Sequence, residues 1–306
     1  MRHAMIMTVH TNFNILQKFV ELFDDTRYDF YILVDKKTNT PNEEIIKQMP
    51  KHSKLVFLPR MNIYWAGYSQ IDAYLRLIET SSEKNYDYYH FLQGSDFPLK
   101  TKEYVNDFFE KNQGYEFINI AQKDFARFKC GIYHFFTNNR FYRSNRIVKA
   151  MNFACAKIQK ILKVHRNSDI ELYHGSALTS LSHECVKYIL NNKDEIKKRF
   201  NYSLAADEVF LQTMIAKSDF CEKIYRFENS SNANCRLIDW KRRNKNSPYT
   251  FTEADFEQLI TTEQDILFAR KFDEKISFGI VEKIDAYLKA EELRGFNERS
   301  IKTNEE

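Results

Sequence analysis

Short apolar runs alternate with helix-spaced apolar positions over the first third of the chain. Ala4–Val9 (AMIMTV) is apolar at both parities, the pattern of a strand buried on both faces. Asn14–Phe23 places Ile15, Leu16, Phe19, Val20 and Phe23 on one helical stripe. Phe30–Val34 (FYILV) is a second buried strand that stops abruptly at Asp35. Strand, helix and strand in about 35 residues predict a βαβ unit, with parallel pairing and a right-handed crossover. Lys54–Leu58 predicts a third strand, Ser69–Glu79 an amphipathic helix and Tyr88–Leu92 another strand. That last run drives into Gly94-Ser95-Asp96 and Pro98, a sharp turn at a strand's carboxyl end, and Lys102–Lys111 follows as a helix.

The pattern weakens after Phe117–Ile120. Gln122–Arg146 is rich in Phe, Tyr, Arg and Asn without clear periodicity. Ala150–Val164 is helical in spacing and basic. Tyr173–Leu181 reads as a Gly-Ser turn plus a strand, and His183–Leu190, Asp194–Phe200 and Asp207–Ala216 read as helices. A strand pair is expected around Lys223–Phe227 and Cys235–Ile238. Lys241–Ser247 is a basic loop, and Phe251–Leu259 and Ile280–Glu292 are helical in spacing. Strands alternating with helices predict an α/β fold with a mostly parallel central sheet flanked by helices. No linker or repeat interrupts the chain, so a single domain over residues 1–306 is expected.

Composition narrows the class. The net charge of +4, from 46 basic and 42 acidic residues, is too balanced for a nucleic-acid binder. Aromatics make up 15% of the chain, which suits a dense core and equally a cleft that stacks sugars or bases. Five cysteines at irregular spacing, with no C-x-x-C, indicate neither a disulfide framework nor a zinc site. No apolar run approaches the ~20 residues that span a bilayer. A soluble cytosolic protein is the expectation, with peripheral contact at the inner membrane face as its limit.

Candidate chemistry is defined first by what is missing. Gly-rich phosphate loops, H-E-x-x-H, G-x-S-x-G and D-x-D are all absent. In open α/β sheets ligands bind outside the carboxyl ends of the strands, which singles out Asp35 and the turn Gly94-Ser95-Asp96. Asp96 reads equally as a cap for the next helix. Asp207 and Glu208 open an apolar helix: Asp207 suits an N-cap, and Glu208 suits capping or a general base in a cleft. Arg236 and Lys271 are cations held among apolar neighbours, better placed to grip phosphate than to float in solvent. Trp65, Tyr68 and Trp240 suit stacking on a sugar or base, and suit core packing as well.

Eight blocks carry a resemblance, in order along the chain: His3–Asn12 (HAMIMTVHTN), Phe30–Thr38 (FYILVDKKT), Ile63–Ala73 (IYWAGYSQIDA), Phe91–Thr101 (FLQGSDFPLKT), His174–Ser182 (HGSALTSLS), Ala205–Ile215 (AADEVFLQTMI), Cys235–Trp240 (CRLIDW) and Leu267–Asp273 (LFARKFD). Together they resemble the core-2/I-branching β-1,6-N-acetylglucosaminyltransferases and the peptide O-xylosyltransferases of glycosyltransferase family 14. The resemblance implies a GT-A-type fold and inverting, metal-independent transfer from a UDP-sugar donor to a glycan or lipid-linked glycan acceptor, with no cofactor. It places the catalytic base on Glu208 and the cations for the diphosphate on Arg236 and Lys271. Val9-His10 and Val34-Asp35 fall where the family lines its nucleotide pocket. Gly94, Ser95 and Asp96 are expected on the donor side, and Gly175, Ser176 and Asp207 beside the substrate. The division implied is a nucleotide-binding half (1–120), an acceptor and catalytic half (121–279), and a C-terminal helix with a frayed tail (280–306). Ala205-Ala206 stand where the family has Ser-Pro. Ala177 stands where the xylosyltransferases have Asp, which tilts the donor towards UDP-GlcNAc. Lacking the anchor and disulfides of Golgi members, the chain resembles a bacterial, cytosolic relative acting in surface polysaccharide synthesis. The alternatives are another UDP-sugar, including UDP-xylose, or a silent homologue that binds without turnover.

Overall fold

A computed structural model describes residues 1–39, 46–122, 124–226, 232–244 and 247–303. Its strands are β1 (His3–Val9), β2 (Tyr28–Val34), β3 (Leu55–Phe57), β4 (Tyr88–Gln93), β5 (Asp96–Pro98), β6 (Ala121–Gln122), β7 (Tyr173–His174), β8 (Ser180–Ser182), β9 (Arg236–Ile238) and β10 (Phe268–Arg270). The central sheet runs β3-β2-β1-β4-β8, parallel throughout except for β8, which is antiparallel to β4. A second sheet, β5-β10-β9, sits beside it, and β6 pairs with β7.

The alternation of side chains along β1 and β2 explains why those runs are apolar at every position. Met5, Met7, Val9, Phe30, Ile32 and Val34 enter a core shared with helices Phe13–Leu22, Lys102–Lys111 and Gly279–Thr303. Ala4, Ile6, Tyr31 and Leu33 enter the opposite core, with helices Ser69–Ser82, His183–Asn191 and Phe210–Ala216. Because side chains of a strand point alternately to the two faces, only a run apolar at both parities can serve both cores. Strand order reverses at β1, whose neighbours β2 and β4 leave in opposite directions. A crevice opens there, outside the carboxyl ends.

Several expectations need correction. β9 forms as expected but pairs with β10, a strand hidden inside the basic block Leu267–Asp273. Its expected partner is instead a 3-10 turn, Asp219–Lys223, followed by a single bridge from Ile224 to Glu116; Phe227 lies outside the described residues. The helix expected over Asp207–Ala216 is split into a 3-10 turn, Ala206–Glu208, and helix Phe210–Ala216. Ala205, at φ 46°, begins the turn, so Asp207 is not its N-cap. Asp96 does not cap the following helix either: Thr101 does, its hydroxyl accepting from the Tyr104 amide at 3.2 Å. Phe251–Leu259 shortens to a 3-10 turn and helix Phe256–Ile260. Within aperiodic Gln122–Arg146, Asp124–Cys130 is helical. The five cysteines are all unpaired.

Candidate active site

The cleft has a volume of about 1080 Å³ and is walled by the ends of β1, β2 and β4, by the β7–β8 connection and by β9 and β10. Val9, His10, Asp35, Ser95, Arg236, Lys271, Trp65, Gly175, Ser176, Asp207, Glu208 and Trp240 all line it. Three expected residues do not. Gly94 is packed underneath, where a Cβ would stand 2.9 Å from the Thr11 carbonyl oxygen. Asp96 is fully buried: its carboxylate accepts from Arg270 Nη1 at 2.8 Å and from the Gln93 amide at 2.8 Å. Tyr68 is half-buried and packs against the second core.

Glu208 sits in a cluster of basic groups. Its Oε2 accepts from Lys129 Nζ and faces His174 Nε2 at 3.2 Å. His174 Nε2 is also 3.2 Å from Lys129 Nζ, and that ammonium lies 4.5 Å from the Phe125 ring centroid. Burial alone would raise the Glu208 carboxyl, but the bond to His174 and the Lys129 charge outweigh it and hold it well below the usual range. Its neighbour Asp207 is pushed the other way, first by burial and then by the charge on Glu208. Gln70 Nε2 donates to Asp207 Oδ2 at 3.1 Å, while Oδ1 has no partner among the described residues. The geometry therefore keeps Glu208 ionised and Asp207 inclined to hold a proton.

Gly175 makes this cluster possible. A Cβ there would fall 2.0 Å from the Asn119 carbonyl oxygen, so only glycine admits the approach of β7 to that segment. Its amide donates to the Glu208 carbonyl at 2.9 Å, and the Ser176 amide donates to Asn119 Oδ1 at 2.8 Å. These bonds tie His174 to the turn that carries Glu208.

On the other wall, Arg236 is buried without a carboxylate partner among the described residues. Its guanidinium donates to the Asn234 carbonyl at 2.8 Å, the Ser180 hydroxyl at 2.8 Å and the Thr179 carbonyl at 3.3 Å. It lies 4.5 Å over the Phe268 ring, and its Nε has no partner among the described residues. Burial lowers its pKa to about 10. Lys271 also makes no side-chain hydrogen bond or ion pair there. Arg270, by contrast, is neutralised by Asp96. Asp35 is engaged by Lys37, whose Nζ donates at 2.7 and 2.8 Å. Trp65 stacks on Tyr142, with centroids 6.5 Å apart, and Arg143 stands 6.0 Å over the Trp65 ring.

Lys129, His174 and Gln70 went unassigned from the sequence. His174 opens the block in which only the Gly-Ser turn was read, and Lys129 lies in the aperiodic segment. No spacing pointed to either, since both meet Glu208 only through the fold.

At the switch point of a mostly parallel α/β sheet, one cleft is thus lined by the Glu208 carboxylate, the buried guanidinium of Arg236 and the half-buried Lys271. Residues 4–264 match the family described as Core-2/I-branching enzyme, and the chain belongs to that family. It is similar to xylosyltransferase 2 of Canis lupus familiaris, at 23% identity over 94% of this chain and 34% of that protein. Xylosyltransferase 2 of Rattus norvegicus is 24% identical, with the same coverage, and xylosyltransferase 1 of Homo sapiens is 22% identical over 94% of this chain and 30% of that protein. The chain thus spans about a third of the length of these relatives. Among solved structures, mouse xyloside xylosyltransferase 1 in its apo form aligns with a TM-score of 0.36 and 10% identity, over 88% of this chain and 96% of that one.

Proposed function

We infer that the chain transfers a sugar, GlcNAc in the first reading, from a UDP donor to a hydroxyl of a glycan acceptor with inversion and without a metal. The observation that carries this is the presence, in one cleft, of ionised Glu208 and two cations, Arg236 and Lys271, that have no carboxylate of their own among the described residues. Departure of UDP develops negative charge on the diphosphate, and fixed cations stabilise that charge best in a site shielded from water. A buried guanidinium lacking a counter-ion is costly, and an anionic ligand offsets that cost. Inversion needs one base on the face opposite the leaving group, and Glu208 fills that role by accepting the acceptor's hydroxyl proton. Trp65 and Trp240, both about half exposed on the cleft wall, offer ring faces to sugar or base.

UDP-xylose is the second reading, favoured by the names of the similar proteins. Ala177, on the cleft wall where the xylosyltransferases carry Asp, favours GlcNAc.

The test is UDP release from a panel of UDP-sugars, with and without EDTA, for the wild type and for Glu208→Gln. Release selective for one sugar, unchanged by EDTA and reduced about 10²–10⁴-fold in the variant, is the expected result. Activity abolished by EDTA and restored by Mn²⁺ overturns the roles given to Arg236 and Lys271. UDP binding with no turnover in the presence of any hydroxyl acceptor assigns the protein as a silent binder.

A further inference from the structure

Helix Arg146–Ile161 is amphipathic the wrong way round for a helix whose only task is to cover a core. The face it buries is polar: Asn152 and Gln159, with Ala156 between them. Asn152 Nδ2 meets His134 Nδ1 at 3.0 Å, and the Gln159 amide exchanges two 2.8 Å hydrogen bonds with the backbone of Tyr133. The face it turns outward is apolar. Ile147, Met151, Ile158 and Ile161 follow one another at helical spacing, with Ala154 among them and Leu162 just beyond, and the large side chains are between 47% and 79% exposed. At 100° per residue these positions form one contiguous stripe.

Charge decides what covers this stripe. Arg146 and Lys157 lie along one edge of it, and Lys149 and Lys160 lie further round the same side of the helix; all four are exposed and none is ion-paired among the described residues. From Phe125 to Ser168 the chain holds ten Lys and Arg and no Asp or Glu. Lys157 lies 4.9 Å over the ring of exposed Phe153, its stem following the apolar surface while the ammonium stays outside. A second copy of the chain docked by twofold symmetry would set this cationic face against itself. An aliphatic stripe with cations along one flank matches the boundary between acyl chains and anionic headgroups. Among the described residues no helix is long and apolar enough to cross a membrane, so attachment here is to a surface.

We propose that the outward face of Arg146–Ile161 docks the protein on a bilayer surface rich in anionic lipid, the apolar stripe entering the headgroup boundary and the flanking cations pairing with lipid charge. Arg143, on the cleft wall, is only two residues from Asn145, whose side chain caps this helix, so docking brings the cleft mouth close to the membrane. The proposal does not rest on the sugar-transfer reading, because docking is measured without turnover.

The experiment is co-sedimentation of the full chain with vesicles of phosphatidylcholine alone and of phosphatidylcholine mixed equally with phosphatidylglycerol, at low and high salt. The variants are Ile158→Glu/Ile161→Glu and Lys157→Ala/Lys160→Ala, each checked for an unchanged thermal midpoint. All four positions are exposed, so neither variant opens the core. Expected is binding to the anionic vesicles alone, weakened by salt and reduced about 30-fold by loss of the two lysines. Loss of the two isoleucines is expected to reduce it by about tenfold or more. Absence of binding to anionic vesicles at low salt overturns the proposal. So does binding indifferent to the isoleucine variant, which would be adsorption without insertion. Concentration-dependent self-association abolished by that variant, with vesicles ignored, assigns the face to a second copy instead.

Discussion

In the proposed reaction Glu208 acts as the base beside Lys129 and His174. A carboxylate held low, against burial, by a bond to His174 and by a buried ammonium is ionised over a wide pH range yet weak as a base, so the cluster trades proton affinity for constant charge. Replacing the ammonium changes that balance in a direction the pKa shift fixes. In Lys129→Met the carboxyl rises towards its ordinary range, and activity falls as pH drops through the new, higher value. The acidic limb of kcat/KM is therefore expected to move up by about a pH unit or more, with the alkaline limb unmoved. Identical acidic limbs in wild type and variant would mean that Glu208 is not the group that titrates. At this scale the sequence was informative where chemistry and spacing coincide. Glu208, Arg236 and Lys271 lie in recognisable blocks, and all three line the cleft. Lys129 and His174 belong to the same cluster and were invisible, because a contact across 79 residues leaves no local pattern.

Elements carry the site through two close approaches. The β7–β8 connection reaches the cleft only because Gly175 lets its backbone pass against Asn119. In Gly175→Ala either β7 or the Asn119 segment must shift, which displaces His174 from Glu208. The expected outcome is a loss of roughly 1–3 kcal/mol of stability in denaturant titration, as for other overpacked sites. UDP release is expected to fall by about tenfold or more, since a displacement near 1 Å is enough to disorder a reacting geometry. Stability lost with full activity retained would show that His174 does not matter to the chemistry. The second approach is β10 against β5, where Arg270 meets Asp96. That ion pair neutralises the neighbour of Lys271. Sequence periodicity found the long elements well, because β1, β2, β4 and the helices that cover them are specified by runs of many residues. It missed β10 and misjudged the partner of β9, since strands of three residues present too few side chains to show a period.

Across the whole molecule, buried ionisable groups pull stability in opposite directions with pH. Glu116 is raised to about 7, by burial above all, although Ser182 donates to both of its oxygens. A carboxyl raised in the folded state contributes stability that is full below its ordinary value of 4.5 and is lost as pH rises through about 7. His3, lowered to about 3 by burial beside His90, contributes the reverse: its stability is present above 6.5 and is lost as pH falls towards 3. The two terms oppose each other between about pH 4.5 and 6.5 and flatten the dependence there. Glu116→Gln removes one of them. Relative to wild type the variant is expected to gain roughly 3 kcal/mol between pH 4.5 and 7, read from urea midpoints along that range. A difference that stays constant with pH would mean that Glu116 is ionised in the folded protein.

What the sequence by itself determined is the α/β class, the parallel βαβ start, the family and the residues whose chemistry is announced by their immediate neighbours. These follow from short-range rules: side-chain parity in strands, the period of helices and the composition of turns. Tertiary structure alone decided which charges are neutralised and which are left over. Arg270 and Lys271 are adjacent in sequence, yet one is paired to a buried aspartate and the other lines the cleft with no ion pair among the described residues. It also decided that Asp207 bonds to Gln70 rather than capping a helix, and that helix Arg146–Ile161 turns its apolar side outward. The reason is common to all three. Burial and electrostatic pairing depend on what arrives from distant parts of the chain, and amphipathicity shows only that a helix has two faces, leaving the packing to choose which one meets the protein.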